Sequence, residues 1–125
     1  MQGNIKKTVV PLRLKVGDTI GIVAPASPFD REQFSRGIQF LEQAGFKTVV
    51  PDSIFEKKGY LAGSDRQRAE LINRAFDDAD TNAILCARGG YGSIRVLPYL
   101  NFQKIAENPK IFIGLSDITA LLAAL

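Results

Sequence analysis

The 125-residue chain contains no histidine, no tryptophan and one cysteine, Cys86. A lone thiol excludes an internal disulfide, and nothing in the chain resembles a metal-ligand cluster. The lack of histidine removes the usual general base for a serine nucleophile, so a Ser-His triad cannot be completed within these residues. Long apolar runs are also missing. After Met1-Gln2-Gly3-Asn4-Ile5-Lys6-Lys7 the apolar stretch is interrupted by Pro11, Arg13 and Lys15, which excludes a secretory core and a spanning helix. The net charge of +3 is spread from Arg13 to Lys110, with no basic run alternating with aromatics. Nucleic acid and membrane are therefore not expected as partners, and a cytoplasmic location follows.

What is present is the composition of an ordinary globular domain, 46% hydrophobic and 23% charged. Strand and helix patterns alternate, which predicts an α/β domain with a largely parallel sheet flanked by helices. Thr19 to Ala24 reads as a first buried strand, closed by Pro25-Ala26-Ser27-Pro28. Asp30 is placed to cap a helix carrying Phe34, Ile38 and Leu41, with Gly45 as its stop. Phe46 to Val50 is a second strand, and Asp52 to Gly63, including Tyr60, reads as a polar loop. Ser64 and Gln67 have capping-box spacing, ahead of a helix with Ala69, Ile72 and Phe76 on one face. A third strand, Ala83 to Ala87, holds Cys86 in a buried packing role. Short helices are predicted over Ser93 to Leu97 and Phe102 to Glu107, and a fourth strand over Ile111 to Ile113. Leu121-Leu122-Ala123-Ala124-Leu125 ends an apolar helical pattern with no Gly, Asn or Pro, so residues 1–125 are expected to be a piece of a longer protein.

Two carboxyl-edge segments carry candidate chemistry. Ile111-Phe112-Ile113 runs through Gly114-Leu115-Ser116-Asp117 straight into a helical pattern, a turn that would display Ser116 as a nucleophile beside backbone N–H groups. The alternative use is plain capping, since Ser and Asp are favoured there. The full Gly-x-Ser-x-Gly elbow is missed, because Ile118 stands where the last glycine belongs. Arg88-Gly89-Gly90-Tyr91-Gly92 follows the third strand. Its spacing matches neither a dinucleotide fingerprint nor a phosphate loop, which leaves a tight turn or a set of free N–H donors for an oxyanion. Arg88 suits a substrate carboxylate or a structural salt bridge.

Three segments together resemble the LD-carboxypeptidases, a serine-peptidase family that includes the microcin-immunity peptidases. They are Pro11 to Asp18 with Ile22-Val23-Ala24-Pro25-Ala26-Ser27; Ala87-Arg88-Gly89-Gly90-Tyr91-Gly92; and Asn108-Pro109-Lys110-x-Phe112-x-Gly114-x-Ser116-Asp117-Ile118-Thr119-Ala120-Leu121. The resemblance implies a flavodoxin-like, class I glutamine amidotransferase-like N-terminal domain that bears the nucleophile. A C-terminal domain beyond Leu125 would supply the His and Glu of a Ser-His-Glu triad. Ser116 would be the nucleophile, with the N–H of Asp117 and that of Gly90, or of Gly89, as the oxyanion hole, and Arg88 and Tyr91 on the substrate side. The implied reaction frees the terminal D-alanine of a murein tetrapeptide in peptidoglycan recycling, without metal or organic cofactor, and residues 1–125 alone would be inactive. A homodimer is a further implication. Leu115 departs from the family, where a tyrosine often precedes the serine. The reading from another class is a non-catalytic small-molecule or peptide-binding module, in which the glycine loop and the N–H groups after Ser116 hold an anion.

Overall fold

A computed structural model describes residues 10–114 and 116–125. Four strands, β1 (Thr19–Val23), β2 (Lys47–Val49), β3 (Ala83–Cys86) and β4 (Ile111–Ile113), form one parallel sheet in the order β2-β1-β3-β4. This is the doubly wound arrangement expected, and it puts a topological switch point between β1 and β3, where the connections leave in opposite directions. Helix α1 (Arg31–Gln43) joins β1 to β2, and α2 (Asp65–Asp77) joins β2 to β3. A 3₁₀ segment over Ser93–Tyr99 and helix α3 (Phe102–Glu107) lead to β4; a 3₁₀ turn at Ser116–Ile118 then opens α4 (Thr119–Ala124).

Local chemistry explains the helix starts. Asp30 accepts hydrogen bonds from the N–H groups of Glu32 (2.7 Å) and Gln33 (3.2 Å). Ser64 and Gln67 close a reciprocal capping box at 3.1 and 2.8 Å. Paired residues of parallel strands share a sheet face, so Gly21, Ile84 and Phe112 point the same way. That face meets α2, where the Phe112 ring stacks on Phe76 at 6.0 Å. Ile72, Ala69 and Phe76 complete the buried stripe. On the opposite face α1 packs over the β2–β1 side, with Phe34, Ile38 and Leu41 only partly buried, leaving an open cleft of about 690 Å³ against Ile22 and Leu85.

Two expectations need correction. The Asp52 to Gly63 segment is not simply a polar loop: it contains a 3₁₀ turn, Asp52–Phe55, and buries Ile54, Leu61 and Ala62. Cys86 is part-buried rather than fully enclosed. Residues 1–9 and the Leu115 position lie outside the described residues. Among the described residues no helix is long and apolar enough to cross a membrane.

Candidate active site

The carboxyl ends of β1, β3 and β4 all open onto one edge, and the loops there are tied together. After β1, the Ser27 N–H donates to the Gly89 carbonyl (3.3 Å), and Ser27 Oγ accepts from the Tyr91 N–H (3.0 Å). Gly90 has φ +104°, and a Cβ on it would fall 2.2 Å from Ser27 Oγ. Only glycine allows the β3 loop to lie so close to the β1 loop. Tyr91 already donates its N–H to Ser27, whereas the N–H groups of Gly89 and Gly90 have no acceptor among the described residues. They remain available to a ligand.

At the end of β4 stands Ser116, exposed, with φ +59°. It is the one non-glycine residue with positive φ among the described residues. The left-handed region costs an L-residue roughly 1–2 kcal/mol, and such outliers cluster at functional sites. Neighbouring packing holds it there. A Cβ at Gly114 would come 2.3 Å from Ile118 Cγ2 and 2.8 Å from Ile118 Cβ, so the fully buried Ile118 lies directly over the glycine. The elbow therefore has its close approach after all, with the small residue before the serine and the large one after it.

The capping alternative for Ser116-Asp117 is not what the structure forms. Helix α4 starts from Ile118 with no side-chain cap. The Asp117 carboxylate instead accepts from the Ser93 N–H (2.8 Å), and Ser93 Oγ donates to the Asp117 carbonyl (2.6 Å). Ser93 adjoins Gly92, so the glycine loop and the serine corner, separate in sequence, are clasped together.

Arg88 makes a backbone contact that neither expectation included. Its Nη1 donates to the Pro28 carbonyl (2.7 Å), bracing the β3 loop on the β1 loop, and its side chain lines the cleft against α1. A substrate carboxylate would meet only its remaining N–H groups. Tyr91 is exposed and packs edge-on against Tyr60 at 5.9 Å. Among the described residues no three His, Cys, Asp or Glu gather as a metal site. Burial pushes the Cys86 thiol up to about 12, so at neutral pH it is protonated and no nucleophile.

Sequence reasoning missed Arg68. Its guanidinium is fully buried, with Nη1 donating to the Pro25 (2.6 Å) and Gly92 (2.9 Å) carbonyls and Nε to Gly63 (3.2 Å). Nη2 pairs with Asp65. Burial lowers its pKa, an effect opposed by the Asp65 carboxylate. The signal was present in the sequence: Arg68 stands four residues before Ile72 and eight before Phe76, in register with the apolar stripe of α2.

Comparison with known proteins decides the family. Residues 20–125 match the model of the LD-carboxypeptidase N-terminal domain. The chain belongs to the LD-carboxypeptidase family. Over its whole length it is 38% identical to a probable murein peptide carboxypeptidase of Bacillus subtilis, covering 39% of that protein. It is 40% identical over 115 residues to the microcin C7 self-immunity protein MccF of Escherichia coli, spanning 90% of this chain and 33% of MccF. The solved apo structure of MccF superposes with a TM-score of 0.89 over 93% of this chain and 36% of that one, at 37% identity. The chain thus spans between a third and two fifths of these relatives, and its sheet is that of the family's N-terminal domain.

Proposed function

We propose that this chain is the nucleophile-bearing domain of a serine peptidase that removes the terminal D-alanine from murein tetrapeptides in cytoplasmic peptidoglycan recycling. The observation that carries the reading is the left-handed, exposed Ser116 at the carboxyl end of β4. Ser116 Oγ attacks the carbonyl of the L,D-peptide bond, and a histidine from polypeptide beyond Leu125, oriented by a glutamate, takes the hydroxyl proton. The Asp117 and Gly90 N–H groups hold the tetrahedral oxyanion, with Gly89 the neighbouring donor. The histidine returns the proton to the leaving amine of D-alanine, and water then releases the acyl group from Ser116. Tyr91 and the remaining N–H groups of Arg88 form the substrate side.

The comparisons support this reading. One relative, from Pseudomonas aeruginosa, is named a murein tetrapeptide carboxypeptidase, and one solved MccF structure is of an active-site mutant whose changes include serine to alanine. The exposed apolar side chains Ile113 on β4 and Leu122 on α4 offer a surface for the domain that brings the histidine.

The test is D-alanine release from an L,D-tetrapeptide, by residues 1–125 alone and by the full-length protein. Turnover is expected only from the full-length protein, and Ser116→Ala should abolish it along with labelling by a serine-directed phosphonate. Full activity in the Ser116→Ala protein, or turnover by residues 1–125, would overturn the reading.

A further inference from the structure

We propose that Ser93 is a positioning residue for the nucleophile corner, and that the buried Arg68 anchors it from behind. The inference rests on Ser116 being the nucleophile, and it adds how that residue is held. Ser93 is fully buried and makes two hydrogen bonds to one residue: its N–H donates to Asp117 Oδ2, and its Oγ donates to the Asp117 carbonyl. Together these fix both ends of Asp117, the side chain and the peptide group leading to Ile118. Because Asp117 directly follows Ser116, its orientation sets where its own N–H points and stabilises the left-handed Ser116 before it.

A serine whose hydroxyl merely needed burial would be satisfied by any local carbonyl, such as one in its own 3₁₀ segment. Here the partner lies 24 residues away, across the gap between the β3 and β4 loops. On the other side, Gly92, with φ +101°, gives its carbonyl to Arg68 Nη1, and the same nitrogen also binds the Pro25 carbonyl after β1. One continuous path therefore runs from the β1 loop through Arg68, Gly92 and Ser93 to Asp117 and Ser116. Each oxyanion donor and the nucleophile hang on a loop that this path touches. The buried charge of Arg68 is matched by Asp65 and three carbonyls, so it does not need a ligand of its own.

The consequence is kinetic. Misplacing reacting groups by about 1 Å can cost on the order of a hundredfold. In full-length protein, Ser93→Ala is expected to lower kcat and the rate of phosphonate labelling at Ser116 by about ten- to a hundredfold, with KM changed by less than about threefold. A folded Ser93→Ala protein that labels at the wild-type rate would overturn the proposal. Should Ser93→Ala fail to fold, Asp117→Ala replaces it, since it removes the carboxylate that accepts from the Ser93 N–H. It should lower the labelling rate by at least about tenfold, and a folded Asp117→Ala protein that labels at the wild-type rate would refute the positioning role. Ser116→Ala run alongside separates the two claims. If it kills turnover while Ser93→Ala is silent, only the positioning role falls. If Ser116→Ala stays active, the nucleophile assignment itself falls.

Discussion

The packing of Ile118 over Gly114 makes a quantitative prediction about the corner that presents Ser116. Gly114→Ala would put a methyl 2.3 Å from Ile118 Cγ2, 2.8 Å from Cβ and 3.2 Å from Cγ1. Contacts under 3.0 Å force movement, and because Ile118 Cβ is rooted in the backbone the whole corner must shift. Overpacking of this kind costs about 1–3 kcal/mol. Ile118→Ala empties a fully buried site and should cost about 2–5 kcal/mol. Independent effects would sum to roughly 3–8 kcal/mol. They should not be independent, since Ile118→Ala deletes the Cγ1 and Cγ2 atoms that the new methyl strikes, leaving only the Cβ contact. The new methyl in turn fills part of the vacated space. The double variant is therefore expected to be at least about 1 kcal/mol more stable than additivity gives, well outside the ~0.5 kcal/mol spread of unrelated sites. Urea denaturation of the wild type, both single variants and the double variant measures this, with phosphonate labelling reporting the Ser116 geometry in parallel. Strict additivity in urea would refute the claim that Gly114 and Ile118 together shape the elbow.

Three further outcomes can be checked on the same protein. Ser64→Ala removes the Oγ that accepts the Gln67 N–H and should lower stability by about 1 kcal/mol in a thermal melt; an unchanged midpoint would mean that the box contributes nothing. The Cys86 thiol, raised by burial from 9.0 to about 12, should react with a disulfide reagent at pH 8 far more slowly in native than in urea-unfolded protein. Because the folded state holds the proton more tightly, this stabilisation is complete below pH 9 and is lost as pH rises from 9 towards 12. Stability measured at pH 8 and pH 10.5 should fall more in the wild type than in Cys86→Ala, and equal falls would contradict the burial argument.

Elements governed by chemistry within one turn were legible in the sequence. Asp30 and the Ser64–Gln67 pair announce their helices because the capping groups lie two or three residues from the N–H groups they satisfy. The four strands were recognisable because three are short apolar segments and β2 is a β-branched one, Thr48-Val49-Val50 after Lys47, each set off by Gly, Pro, Asn or Asp, and the observed β4 spans Ile111–Ile113 as expected. The Asp52 to Gly63 loop was misread since Ile54, Leu61 and Ala62 bury themselves against distant elements with no periodicity of their own. The bracing of the β1 loop by Arg88 was not legible, because nothing local shows the Pro28 carbonyl that it binds 60 residues away.

The candidate site shows the same division more sharply. Ser116 and the glycine loop stand out as motifs, yet a motif reports only which residues stand together in sequence. What makes them one site is a set of contacts across 24 to 64 residues: Ser27 to Tyr91, Arg68 to Pro25 and Gly92, and Ser93 to Asp117. The missing second glycine of the elbow illustrates the point. Read as a pattern, Ile118 counts against a nucleophile. In three dimensions the elbow requires only that strand and helix approach closely, and that is met when one partner has no side chain and the other fills the space above it. Gly114 alone meets the steric demand, so Ile118 is free to bury itself in the core and pin the start of α4, which leaves Ser116 to carry the backbone strain on the exposed side of the turn.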